Sequence, residues 1–216
     1  MLRPRVDILP AAQRRLWTEL RDDLPSRFVL YDGTALALRT GSRESEDFDF
    51  FANDSVDAHE LAAALPFLRG AQLIQAAPST ATFLIERQGR VKVSFFGGLS
   101  LGRVGEVSTS DDTGVRVASM LDLAAQKVRV VQVRAERKDY VDLLTLMQHG
   151  IPLPRALGAA QALYPDFAPL VTLKALSYFA DGDLENLSVD AKAALSKAAE
   201  GVRTIDVVPV LSDRLT

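Results

Sequence analysis

The chain has 216 residues, of which 48% are hydrophobic and 25% charged, and it contains no cysteine and only two histidines. These values are typical of a soluble globular protein, and they exclude disulfides, zinc–thiolate sites, cysteine nucleophiles and histidine-rich metal centres. The net charge of −3 does not favour nucleic-acid binding by bulk attraction, so any such binding requires a local basic patch. No stretch reads as a signal peptide or reaches the roughly 18 apolar residues that span a bilayer, and a cytoplasmic protein with no membrane partner is expected.

Hydrophobic periodicity predicts alternating helices and strands in the first half of the chain. The predicted helices cover residues 10–24, 34–39 and 56–68, and the predicted strands cover residues 28–31, 48–51, 72–75, 80–87, 90–96 and 115–117. Gly41 ends the second helix, Gln88–Gly89 forms a hairpin turn, and residues 115–117 form a short edge strand. Trp17 is expected to anchor the first helix in the core.

The composition becomes mainly helical from Ser119, where Ser119 and Asp122 have the spacing of a capping box. Further helices are predicted over residues 120–134, 136–149, 153–163, 167–179 and 189–202. The sequence therefore predicts an α+β fold with a mixed α/β core over residues 1–118 and a helical region over residues 119–216.

Two aspartates, Asp47 and Asp49, alternate along the predicted second strand and therefore point to one face of it. Two ionised carboxylates repel each other, and a divalent cation such as Mg²⁺, which prefers oxygen ligands, resolves that conflict. Arg43 is the one matched cation in the segment. Upstream, Gly33 and Thr34 begin a helix whose free N–H groups favour phosphate, with Thr34 as its cap. The competing interpretation is a solvated acidic strand, which accounts for most D-x-D patterns.

A second cluster of charges lies in the predicted helices after Ser119. Lys127 and Arg134 are seven residues apart and share one helix face if that helix is continuous. Lys127 follows an apolar turn, where a charge has little other reason to be, whereas a solvated face with a Lys138–Asp142 pair is the competing interpretation. Asp139 faces the same way as Asp142, and the two either orient the basic residues or merely decorate the helix.

Two ordered blocks carry a family resemblance. The first is Tyr31–Arg39 followed by Arg43–Phe51, and the second runs from Asp122 to Leu143. They resemble the G-G-T-A-L-x-L and S-x-D-x-D-F motifs, and the later lysine, arginine and R-D-x-x-D-L motif, of the AbiEii/AbiGii toxin family of nucleotidyltransferases. The similarity extends from Phe28 to about Met147.

The resemblance implies a polymerase-β-like nucleotidyltransferase core and a toxin of a toxin–antitoxin or phage-defence system. Such enzymes transfer a nucleotide from an NTP to an RNA such as tRNA, and a cognate antitoxin is an expected partner. By this resemblance Asp47 and Asp49 bind two Mg²⁺ ions. The implied catalytic set is Asp47, Asp49, Lys127, Asp139 and Asp142, and the implied nucleotide-binding set is Gly33, Thr34, Ser45, Lys127, Arg134 and Lys138.

Three residues depart from the family pattern. Asp32 stands where the family has a glycine, Lys138 replaces an arginine, and Ser94 occupies the position expected for a third carboxylate. Three functions therefore stay open: transfer to an RNA or protein acceptor, a catalytically degenerate protein that binds a nucleotide or a partner, and a nucleotidyltransferase for small molecules such as antibiotics.

Overall fold

The computed structural model describes residues 1–21 and 23–216, which form two compact units. The first unit comprises Met1–Gly102, Glu106–Ser119 and Ser212–Thr216, and the second comprises Arg103–Gly105 and Met120–Leu211. The C-terminal residues belong to the first unit because the Leu215 N–H donates a 2.8 Å hydrogen bond to the Asn53 side chain.

The first unit is built on a seven-stranded mixed sheet. Its helices are α1 (Ala11–Glu19), α2 (Asp32–Thr40) and α3 (Ala58–Ala64), with 3₁₀ turns at Val6–Ile8 and Pro66–Leu68. Its strands are β1 (Val29–Tyr31), β2 (Asp47–Phe51), β3 (Gln72–Ala77), β4 (Thr80–Glu86), β5 (Arg90–Phe96), β6 (Ser108–Thr109) and β7 (Arg116–Val117).

The strand order in this sheet is β3-β4-β5-β2-β1-β7-β6. Strand β2 lies at its centre, antiparallel to β1 and parallel to β5, while β7 runs parallel to β1. The prediction that residues 115–117 form an edge strand was wrong, because β6 pairs with the outer side of β7. Strand β6 has only two residues, Ser108 and Thr109, and such a short polar segment gives no periodic signal. The predicted hairpin at Gln88–Gly89 is confirmed, with positive φ angles of 62° and 140°.

The core of the first unit is aromatic on one face of the sheet. Phe48 and Phe50 point to this face from β2 and are fully buried. The Phe48 ring stacks on Trp17 at 6.1 Å, and the Phe50 ring stacks on Phe95 at 5.5 Å. Trp17 is thus the core anchor that the sequence predicted. Because side chains alternate along a strand, this packing sends the neighbours of Phe48 to the opposite face.

The ends of two helices in the first unit differ from the predictions. Helix α1 ends at Glu19 instead of residue 24, because the Leu20 N–H bonds to the Trp17 carbonyl, three residues back. Position 22 of the predicted helix lies outside the described residues. Helix α2 begins at Asp32 instead of Thr34, with no turn between it and β1. Its predicted end at Gly41 is confirmed by a left-handed φ of 66°.

The second unit is helical. Its helices are α4 (Met120–Val130), α5 (Arg137–Gln148), α6 (Leu153–Leu163), α7 (Pro169–Ala175) and α8 (Val189–Gly201), with a 3₁₀ turn at Leu184–Asn186. The prediction that the first of these helices reaches residue 134 was wrong. The N–H groups of Gln132 and Val133 bond to carbonyls three residues back, which tightens the chain and ends α4. In the described part of the chain, no helix combines the length and the apolar character needed to cross a membrane.

Candidate active site

The face of β2 opposite the aromatic core carries two carboxylates. Asp47 and Asp49 alternate with Phe48 and Phe50, and both aspartates are partly exposed. The strand therefore presents the two acids side by side on the open face of the sheet.

Strand β5 places a lysine and a serine beside these acids. It runs parallel to β2, with Lys92 opposite Asp47 and Ser94 opposite Asp49. The Lys92 Nζ lies 2.7 Å from the Asp47 Oδ2. Sequence reasoning had named Arg43 as the one matched cation and had missed Lys92. A K-x-S pattern on a strand has the same period of two as D-x-D, but only strand pairing shows that the two patterns are neighbours.

The surroundings of Asp49 disfavour the ionised form of its carboxyl. Burial, and then the negative charges of Asp32 and Asp47, raise the pKa of Asp49 from 3.8 to about 6. Lys92 and a side-chain hydrogen bond from Ser94 act in the opposite direction and only partly offset this effect. The hydrogen bond to Asp47 raises the pKa of the Lys92 ammonium above its usual value. Lys92 and Ser94 thus do not fully offset the cost of an ionised Asp49.

The backbone at the start of α2 explains which residues are tolerated at positions 32 and 33. Asp32 has a φ of 57°, the left-handed conformation that glycine adopts most easily and aspartate tolerates. A Cβ on Gly33 would lie 2.8 Å from the Ser45 Oγ and 2.9 Å from the Arg43 Nη2. Gly33 is therefore required for Ser45 and Arg43 to lie directly against the first turn of this helix.

Thr34 lies inside α2, so the prediction that it caps this helix was wrong. Its side chain is buried, and its hydroxyl donates to the backbone carbonyl of Asp47. The Gln13 side-chain amide donates to the same hydroxyl at 3.2 Å and to the Asp47 carbonyl at 3.4 Å. These bonds fix the start of β2 and hence the position of the acid pair. Gln13 was missed, although a polar residue in line with Leu16 and Trp17 on the buried side of α1 is a usable signal.

The second unit contains a buried charge network built on α4 and α5. Asp139 and Asp142 are fully buried, and the Lys127 side chain is 1% exposed. The Lys127 Nζ lies 2.8 Å from the Asp139 Oδ1 and 2.9 Å from the Asp142 Oδ2. Arg134 donates two hydrogen bonds to the Asp139 carboxylate, from Nε to Oδ2 at 2.7 Å and from Nη2 to Oδ1 at 3.1 Å. Burial would raise the pKa of the Asp139 carboxyl, but the hydrogen bond from Arg134 and the charge of Lys127 outweigh it and lower that pKa.

Three expectations for this region change. Arg134 does not share a continuous helix with Lys127, because α4 ends at Val130, and the two residues meet instead at Asp139. Asp139 and Asp142 do not lie on the helix surface, because both side chains are buried against Lys127. Lys138 is about half exposed and pairs with Glu136 at 2.9 Å, whereas Asp142 is held by Lys127. The charge of Lys127 in an apolar turn thus has a structural explanation in its two buried partners.

Two solved structures share this fold. A protein from H. pylori assigned as a nucleotidyltransferase aligns over 88% of this chain and 90% of its own, at 20% identity and a TM-score of 0.55. The nucleotidyltransferase toxin MenT4 from Mycobacterium tuberculosis H37Rv aligns over 88% of this chain and 84% of its own, at 14% identity and a TM-score of 0.57. The α+β fold predicted from the sequence is therefore confirmed as that of a nucleotidyltransferase.

The family follows from the sequence comparison. The model of the AbiEii nucleotidyl transferase toxin, of type IV toxin–antitoxin systems, matches residues 15–209. The chain therefore belongs to the AbiEii nucleotidyltransferase toxin family, as its motifs predicted. An uncharacterized protein of Aquifex aeolicus (strain VF5) is 29% identical over 157 residues, which make up 71% of this chain and 74% of that protein. Family and fold together identify a nucleotidyltransferase enzyme.

Proposed function

We propose that this toxin transfers a nucleotidyl group from an NTP to a hydroxyl of a tRNA-like RNA or of a protein, in a Mg²⁺-dependent reaction. One observation carries the proposal. Asp47 and Asp49 lie on one open face of β2, and the pKa of Asp49 is raised to about 6 by burial and by the like charges of Asp32 and Asp47.

The donor set fits divalent cations. Carboxylate oxygens are the ligands that Mg²⁺ prefers, and a dication removes the repulsion between Asp47 and Asp49. These two residues would hold the ions. When bound, such ions neutralise the triphosphate and favour ionisation of the acceptor hydroxyl. The hydrogen bond from Ser94 orients Asp49, while Thr34 and Gln13 hold the backbone of Asp47 in place.

The first turn of α2 supplies the groups that suit a triphosphate. Backbone N–H groups at the start of a helix favour anions, and Gly33 leaves room for the Ser45 hydroxyl and the Arg43 guanidinium beside them. We therefore retain Gly33 and Ser45 as nucleotide-binding residues. The hydroxyl of Thr34 is engaged with Asp47, which supports a positioning role for it, and a direct triphosphate contact stays a prediction.

We propose two roles for the charged residues of the second unit, phosphate contact for the exposed ones and support of catalysis for the buried ones. Arg134 and Lys138 have side chains that are 37% and 54% exposed, which suits contact with phosphate. Lys127, Asp139 and Asp142 form one buried set, and we propose that this set is needed for catalysis. We also propose that the two parts divided near residue 118 act as domains, with residues 212–216 joined to the first and residues 103–105 to the second. We propose further that the toxin acts in the cytoplasm and that an antitoxin opposes it in phage defence.

The test is transfer of label from each α-labelled NTP to an RNA pool and to protein, with and without Mg²⁺. We expect Asp47→Asn and Asp49→Asn to abolish Mg²⁺-dependent labelling. Asp54→Asn is a matched control, because Asp54 is exposed on the surface and pairs with Arg214 at 2.8 Å. Labelling that persists in the Asp47→Asn variant would overturn the proposal.

A second candidate is a degenerate member of the family that binds a nucleotide without transferring it. Ser94 favours this candidate, because it lies opposite Asp49 where a third carboxylate was expected. Calorimetry with NTP and Mg²⁺ separates the two functions. Tight binding with no transfer to RNA, to protein or to small hydroxyl acceptors would support the degenerate protein.

A further inference from the structure

The lysine beside the acid pair has no role in the proposed reaction described above. Lys92 and Asp47 lie opposite each other on the parallel strands β5 and β2, and their charged atoms are 2.7 Å apart. The ammonium therefore contacts the Asp47 Oδ2, one of the two oxygens that this carboxylate offers to a divalent cation.

We propose that Lys92 is a resident counter-ion that divalent cations must displace from Asp47, so that Lys92 sets the metal affinity of the acid pair. The inference rests on the proposed metal site at Asp47 and Asp49. It makes Lys92 a positioning and affinity-setting residue, and it assigns no contact between Lys92 and substrate.

The charges around β2 explain why a counter-ion belongs at this position. Asp49 interacts electrostatically with Asp32 and Asp47, and all three carboxylates interact with Lys92. Without metal, the ammonium neutralises Asp47 and limits the repulsion within this acid cluster. The ammonium offsets only part of the effect on Asp49, whose pKa stays raised, so the acid pair still favours a dication.

Displacement is physically accessible to this lysine. Its side chain is 42% exposed, and the side chain of Asp47 is 36% exposed, so the ammonium can move into water without burying a charge. Lysine is a compact point charge on a flexible stem, unlike a two-pronged arginine. An ammonium and a dication also repel each other, so metal bound at Asp47 disfavours the Lys92–Asp47 pair.

The test is calorimetric titration of EDTA-treated protein with Mn²⁺ and then with Mg²⁺. We expect Lys92→Met to lower the Kd about two- to fivefold, the range that half-exposed ion pairs contribute. Lys92→Gln should act in the same direction, and Lys92→Arg should not tighten binding. Arg90→Met is the matched control, because Arg90 lies two residues earlier on the same face of β5 and pairs in register with Glu86. An unchanged or higher Kd in both neutral Lys92 variants, with folding verified by circular dichroism, overturns the inference.

The Asp47→Asn variant separates this inference from the proposed function. If the wild-type protein binds no Mn²⁺, or if Asp47→Asn binds it equally well, the metal site itself fails and the role of Lys92 fails with it. If Asp47→Asn weakens binding but the neutral Lys92 variants do not tighten it, the metal site stands and the counter-ion role alone is wrong.

Discussion

Replacement of Asp49 by asparagine in metal-free protein tests the electrostatics of the acid pair directly. The pKa of Asp49 is about 6 in the folded protein and 3.8 when unperturbed, a difference of about two pH units. Each unit corresponds to about 1.4 kcal/mol, so the ionised side chain lowers the free energy of unfolding by about 3 kcal/mol at pH 8. Asp49→Asn removes this charge, and we expect it to stabilise the metal-free protein by about 2–3 kcal/mol at pH 8.

The sign of the pH dependence follows from the raised pKa. Between pH 3.8 and about 6, the folded state keeps a proton on Asp49 that the unfolded state has lost. The free energy of unfolding is therefore unaffected by the Asp49 charge below pH 3.8, and stability is lost as the pH rises through about 6. The advantage of Asp49→Asn should accordingly shrink to about 0.5 kcal/mol at pH 4.

The assay is urea unfolding followed by circular dichroism, at pH 4 and pH 8 in EDTA. Asp47→Asn is the control on the same strand. It removes an ion pair with Lys92 but also a like charge beside Asp49, and these opposing effects should leave a net change of at most about 1 kcal/mol. Mg²⁺ should stabilise the wild-type protein more than it stabilises the Asp49→Asn variant. The reason is that metal binding to the folded state adds to its stability, and the variant lacks one metal ligand. Two results would refute the raised pKa of Asp49. The variant could be no more stable than the wild type at pH 8, or its advantage over the wild type could be the same at pH 4 and pH 8.

Four further variants test other residues of the two units. Thr34→Val should lower the free energy of unfolding by about 1–2 kcal/mol in urea, because the Asp47 carbonyl loses a buried donor. Gly33→Ala should weaken NTP binding in calorimetry about tenfold with a stability loss below about 1 kcal/mol, because a Cβ displaces mobile side-chain ends rather than backbone. Lys127→Met should lose about 3–5 kcal/mol, because two buried carboxylates lose their ammonium. Asp32→Asn should lower the pKa of Asp49 below about 6 in an NMR titration, because one like charge is removed.

Matched controls decide what each of these results means. Gly201→Ala fills open space on α8 and should leave NTP binding unchanged. Lys192→Met removes a partly exposed lysine that donates to the Glu185 carbonyl, and it should change stability by less than about 1 kcal/mol. If Lys127→Met were no more destabilising than Lys192→Met, the buried network would not hold the second unit together. If Thr34→Val or Asp32→Asn had no effect, the contacts assigned to those residues would be wrong.

Local patterns in the sequence determined the elements and the family of this protein. Asp47 and Asp49 had to share a face because side chains alternate along any strand, and residues 153–163 form the predicted helix because their apolar spacing suits it. The two motif blocks were sufficient to identify the family, because they record residue types in order and need no geometry.

Only the tertiary structure decided which charges meet. The parallel pairing of β5 with β2 brings Lys92 to Asp47, and the end of α4 at Val130 lets Arg134 and Lys127 converge on Asp139. Strand register and the burial of charged side chains depend on contacts between residues far apart in sequence, and no local period encodes them. For the same reason the hydroxyl of Thr34, which looked free to bind phosphate at a helix start, instead bonds to the carbonyl that begins β2.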